Sequence, residues 1–94
     1  MLEIREGSNH DLILTGRFDA SQVEKARSIF LSLNEGKTVD FSGLDYISSA
    51  GLGVLLAAQK RLSQRGHALR LVNVNNHIRD VFRFSGFDQI FEIA

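Results

Sequence analysis

Two hydrophobic periods divide the chain. Leu2-Glu3-Ile4-Arg5 alternates apolar with charged side chains, Gly7-Ser8-Asn9-His10 is turn chemistry, and Leu12-Ile13-Leu14 is apolar again. Residues 2 to 15 are therefore predicted to form an antiparallel hairpin. Beyond Gly16 the period lengthens, with Val23, Ala26, Phe30 and Leu33 three and four apart on one stripe of a helix from Asp19 to Leu33. Asp19 and Ser21 both fit its cap, because Gln22 and Glu24 follow them by three residues. Asn34-Glu35-Gly36 stops it.

Lys37 to Phe41 reads as a short strand, and Ser42-Gly43-Leu44-Asp45-Tyr46-Ile47 as the connection to a second helix from about Ser49 to Arg65. Leu52, Leu55, Leu56 and Leu62 make its apolar stripe, while Gln59, Lys60, Arg61, Ser63, Gln64 and Arg65 make its wet side. Gly66 ends it. Ala68 to Val74 forms the next strand, and Asn75 or Asn76 caps a third helix that turns Ile78, Val81 and Phe82 inward and stops at Gly86. The run Ile90 to Ile93 is a short final strand or a docked tail. This order predicts the α/β class: a mixed β-sheet of four to five strands with an N-terminal antiparallel hairpin and covering helices. Residues 1–94 are expected to be a single domain, since that length suits one core. With no proline and short connections, function is expected at a loop-to-helix junction.

Composition narrows the partners. Eleven basic residues balance eleven acidic ones, which gives no long-range attraction to nucleic acid or an anionic membrane and points to protein partners. No apolar run approaches the roughly 20 residues of a membrane span, and no signal peptide is visible. The absence of cysteine excludes disulfides and thiolate chemistry and suits a reducing compartment, so a cytoplasmic location is expected. His10, His67 and His77 lie too far apart for histidine metal-site spacings, and no metal or cofactor is assigned. Nothing in the pattern sets an oligomeric state.

The stretch Ser48-Ser49-Ala50-Gly51-Leu52-Gly53 carries the candidate chemistry. Each glycine in the first turns of a helix costs on the order of 1 kcal/mol relative to alanine. Bare backbone there allows either the close approach of another surface or tight packing inside the domain. The serine pair sits where unsatisfied N–H groups and the positive end of the helix dipole converge, a setting that suits a phosphate. The plainer reading is that one serine caps the helix. For Asp19 the plain reading is likewise a cap, for Asp40 a strand-end residue bonding the next loop, and for Arg79 and Arg83 a solvated face.

Asp40-Phe-Ser-Gly-Leu-Asp-Tyr-Ile-Ser-Ser-Ala-Gly-Leu-Gly resembles the signature of STAS domains: an Asp-x-Ser stretch, a hydrophobic pair, then Asp/Ser-Ser-x-Gly-Leu. Gly16-Arg17-Phe18-Asp19 resembles the family's Gly-x-Leu-Asp, and Val81-Phe82-Arg83-Phe84-Ser85-Gly86-Phe87 resembles its closing segment. The resemblance implies the STAS fold and an anti-sigma factor antagonist, with Ser49 as the phosphorylated serine and Ser48 where the family has an acidic residue. It further implies partner binding through Asp19, Ser48, Ser49, Ala50, Gly51, Leu52 and Gly53. The implied partners are an anti-sigma factor with serine kinase activity, which brings its own ATP and Mg²⁺, and a serine phosphatase. The chain itself would be a substrate and not an enzyme. An accessory STAS subunit of a transport assembly would use the same surface without phosphorylation. A serine nucleophile fits poorly, because Ile47 occupies the first glycine position of a Gly-x-Ser-x-Gly elbow.

Overall fold

Five strands follow one another across the sheet in the order in which the chain makes them. The computed structural model describes residues 1–94. β1 (Leu2–Glu6) and β2 (Leu12–Phe18) form the antiparallel hairpin, with Leu2 opposite Gly16 and Glu6 opposite Leu12. Then come α1 (Val23–Phe30), β3 (Lys37–Ile47), α2 (Ser49–Ser63), β4 (Leu69–Val72), α3 (Asn76–Ser85) and β5 (Glu92–Ile93). β2 through β5 are parallel.

Each parallel crossover steps the same way across the sheet, and such crossovers are right-handed, so the three helices fall on one face. The side chains agree. Leu12, Leu14, Phe18, Val39, Phe41, Leu44, Ile47, Leu69 and Leu71 are buried on the helix side. The register pairs that face the other way, Ile13 with Asp40, Thr15 with Gly43 and Arg17 with Tyr46, are half-buried or exposed. One apolar cluster, with edge-on rings of Phe41, Phe82 and Phe91, fills the space beneath the helices.

β3 departs most from expectation. Residues Ser42 to Ile47, read as a connection, continue the strand to eleven residues in all. Two register shifts against β2 account for it, between Ile13 and Thr15 and between Gly16 and Arg17, each adding one residue on the β3 side. Buried positions in β3 therefore fall at Val39, Phe41, Leu44 and Ile47, and the period-two signal is lost. With the strand lengthened, Asp40 lies in its interior rather than at its end, and its Oδ1 accepts from the Ser42 N–H at 2.8 Å and the Asn73 side-chain amide at 3.1 Å.

Smaller differences concern ends. The first helix is shorter than its stripe, because Asp19 caps a 3-10 turn over Ala20–Gln22 and only Val23–Phe30 is α-helical. β4 stops at Val72, since Asn73 adopts a left-handed φ of 58° that no strand continues through. Asn75 is the cap of α3, and Gly86 closes that helix at φ 79°. The expected final strand is reduced to Glu92–Ile93. Gln59 is not on a wet face: it is buried, accepting from the Leu69 N–H at 2.8 Å and donating to the Ile90 carbonyl at 3.1 Å. It ties α2 to β4 and to the C-terminal segment. The outer edge of β1 is covered at Leu2, whose N–H donates to Gln22 and whose carbonyl accepts from the Lys25 ammonium.

Candidate functional site

β2 and β3 end side by side, with Phe18 in register with Ile47. The Ser48 N–H donates to the Phe18 carbonyl at 2.9 Å, so the chain turns from β3 into α2 while held to the end of β2. Asp19, the next residue of β2's exit, thereby lies beside the start of α2, and the 3-10 turn it caps packs against that helix. The sequence-predicted residues Asp19 and Ser48 to Gly53 are thus one contiguous region.

The two serines have different tasks. Ser48 is half-buried and has the extended backbone of a cap, φ −87° and ψ 168°. Its Oγ accepts from the Gly51 N–H at 3.1 Å, and its carbonyl accepts from the Leu52 N–H at 2.9 Å. The N–H, the carbonyl and the hydroxyl oxygen of Ser48 are all engaged within the fold. Ser49 is the first residue of α2 and is exposed, and its hydroxyl has no hydrogen bond within the chain. The Ser49 and Ala50 amides precede the first intrahelical bond and point out of the helix end, where the dipole is positive.

The glycines divide in the same way. A Cβ at Gly51 would lie 3.0 Å from Phe18 Cδ1, the Phe18 carbonyl oxygen and Ile47 Cγ1, so internal packing presses against any side chain there. A Cβ at Gly53 would meet nothing within 4 Å, and that residue is exposed. Leu52 joins Gly51 in the interior, whereas Ala50 faces solvent with Ser49. The outward surface of the first turns is therefore Ser49, Ala50 and Gly53, all small.

Asp19 Oδ1 accepts from the Ser21 hydroxyl at 2.6 Å and the Ser21 N–H at 3.1 Å. The Ser21 hydroxyl is the main reason its carboxyl stays below the ordinary value, with the Ser21 N–H and the charge of Arg17 adding to it against some desolvation. For Asp40 desolvation pushes upward, but the Ser42 N–H outweighs it together with the Asn73 amide, leaving that carboxyl lowered too. No group of three or more acidic or histidine side chains is arranged to hold a metal ion. No helix is long and apolar enough to cross a membrane.

One pair was absent from the sequence reading. The Arg17 guanidinium carbon stands 4.3 Å from the centre of the Tyr46 ring on the uncovered face of the sheet, one register step before Phe18 and Ile47. With Tyr46 assigned to a loop, nothing in the sequence placed it opposite Arg17.

Residues 3–92 match the family model described as "Mlab, STAS domain", and the chain belongs to the STAS domain family. BtrV of Bordetella bronchiseptica, a candidate anti-sigma factor antagonist by name, is 42% identical over 77 residues, covering 81% of this chain and 66% of BtrV. The anti-sigma-B factor antagonist of Listeria monocytogenes is 31% identical over 99 aligned positions, covering 98% of this chain and 86% of that protein. Among solved structures, the anti-sigma factor antagonist SpoIIAA in its unphosphorylated form superposes with a TM-score of 0.78 at 21% identity, covering 100% of this chain and 88% of that one. This last likeness is one of fold.

Proposed function

We propose that this protein is an anti-sigma factor antagonist that works as a partner switch, with Ser49 as its phosphorylated residue. The observation that carries the reading is the division of labour at the start of α2: Ser48 is consumed by capping, and Ser49 presents a free hydroxyl on an exposed turn of small residues. The names of the Bordetella and Listeria relatives support the antagonist role. SpoIIAA, whose fold this chain shares, has been solved both unphosphorylated and as a Bacillus protein in the phosphorylated form.

Unphosphorylated, the surface formed by Asp19, Ser48, Ser49, Ala50 and Gly53 binds an anti-sigma factor that is also a serine kinase, and the sigma factor is released. Gly51 and Leu52 support that turn from beneath. The kinase transfers the γ-phosphoryl group of its own ATP to Ser49 Oγ, whose proton leaves to the kinase's base. The phosphate brings close to two negative charges and added bulk. The helix end accommodates that charge, while the docked partner loses its contact. A serine phosphatase restores the hydroxyl.

The test is phosphopeptide mapping after incubation with the anti-sigma kinase retained by the wild-type chain. One phosphate on Ser49 is expected, with Ser49→Ala abolishing transfer but retaining binding, and Ser48→Ala retaining transfer. Phosphate only on Ser48, or a retained partner that is a transport subunit and no kinase, overturns the reading.

A further inference from the structure

Arg5 and Arg17 are the two strand cations without an ion pair, and of these only Arg17 is stacked on an aromatic ring. Lys37 pairs with Glu6 and Arg70 with Glu92, whereas Arg17 is exposed and has no carboxylate within ion-pair distance. Its guanidinium is held over the Tyr46 ring instead, 4.3 Å from the ring centre. Stacking of this kind restrains the side chain while leaving its donors free at the edge of the plane. The side chain is thus ordered before any partner arrives, which lowers the entropy lost on docking.

Position connects this pair with the start of α2. Arg17 and Tyr46 are register partners, Phe18 and Ile47 are the next pair, and the Phe18 carbonyl takes the Ser48 N–H. A continuous surface therefore runs from Ser49 around the ends of β2 and β3 onto the face of the sheet that no helix covers. Its nearby acids do not satisfy the arginine: the Asp19 carboxylate is bound to Ser21, and Asp45 has no ion pair.

We propose that Arg17, stacked on Tyr46, is the anchor for a carboxylate of the protein partner, so that docking at the start of α2 extends onto the open face of the sheet. The proposal rests on the antagonist reading above and names the chemistry its partner must present. An ordered guanidinium offers paired donors that match the two oxygens of an Asp or Glu side chain. Arginine and tyrosine are also among the residue types enriched where protein interfaces concentrate their affinity. A nucleic acid is disfavoured, because Arg17 and the separate Arg5 of β1, in a chain of zero net charge, make no track for successive phosphates.

The experiment is a calorimetric titration of the anti-sigma factor retained by wild type, with melting temperature recorded for every variant. Arg17→Ala is expected to weaken binding by about tenfold or more at unchanged melting temperature. Arg17→Lys recovers only part of that loss, since an ammonium keeps the charge without the fork or the stack. Arg17→Glu binds more weakly still, and replacing one partner carboxylate by lysine restores it. In a double-mutant cycle, Tyr46→Leu costs affinity when Arg17 is present and little when it is alanine. If wild type binds and Arg17→Ala binds within twofold of it, the inference falls while the antagonist reading stands. If wild type binds no anti-sigma factor, the reading falls and this inference with it.

Discussion

The starts of α2 and α3 are built on almost the same local plan. Ser48 and Asn75 both have extended backbones, with ψ 168° and 166°, and each side chain accepts the N–H three residues on, Gly51 at 3.1 Å and Ile78 at 2.9 Å. Their carbonyls accept the next amide, from Leu52 at 2.9 Å and from Arg79 at 2.8 Å. The caps alone therefore do not make one of them a site. Asn75 also donates from its side-chain amide to the Leu44 carbonyl at 3.2 Å, which locks α3 to β3. At α2 the lock is backbone to backbone, Ser48 to Phe18, and the close approach it requires is bought with Gly51. This leaves the α2 turn rigid underneath and small on its outer surface. A helix start becomes available to a partner when its anchoring is done from below.

The largest effect is expected at Gly51. Gly51→Val drives branched carbons into Phe18 and Ile47, and a loss of about 2 to 3 kcal/mol in chemical denaturation is predicted from overpacking; a stable variant would show that the α2 start is not pinned. Next comes Asn75→Ala, which removes a cap and a tertiary bond together, for a loss of about 1 to 2 kcal/mol. Ser48→Ala removes only the side-chain cap and should cost about 1 kcal/mol. Equal losses for these two would erase the distinction drawn between the helix starts. At Gly53 the sign reverses: Gly53→Ala should stabilise by up to about 1 kcal/mol, because the space is open and alanine is the better helix former. The same variant should weaken partner binding.

Acid unfolding supplies the smallest and most selective test. Asp40 holds Asn73, which leads into α3, and its folded-state pKa is lowered. Its contribution is therefore complete above the unfolded aspartate value of about 3.9 and is lost as pH falls through the lower folded value. Urea midpoints measured through this range should fall less steeply for Asp40→Asn than for wild type. An unchanged slope would remove Asp40 from the anchoring of the α3 side.

Much of this was legible in the chain because burial and period coincide. The hairpin declares itself by alternation, and α3 by Ile78, Val81 and Phe82 between Asn75 and Gly86. β3 hid half its length because two extra residues move its buried positions from spacing two to spacing three beyond Phe41. Gln59 is polar in composition yet buried in fact, since Leu69 and Ile90 satisfy its amide from elements distant in sequence. At the candidate site, the family resemblance selected Ser49, but the two roles of its glycines stayed open until the distance from Gly51 to Phe18 was known. Arg17 and Tyr46 could meet only through a register that no local pattern encodes.

The agreement between strand order and chain order has a consequence for synthesis on the ribosome. Each strand emerging from the exit tunnel finds its neighbour already made, and none must wait for a later strand to fill a gap beside it. Nascent chains fold from the N-terminal side as length permits. The whole region around Ser49, from Asp19 to Gly53, precedes Ser63, where α2 is complete. The surface can thus take shape while α3 and β5 are still inside the tunnel, with Gln59 left to wait for Leu69 and Ile90 as the last ties to close.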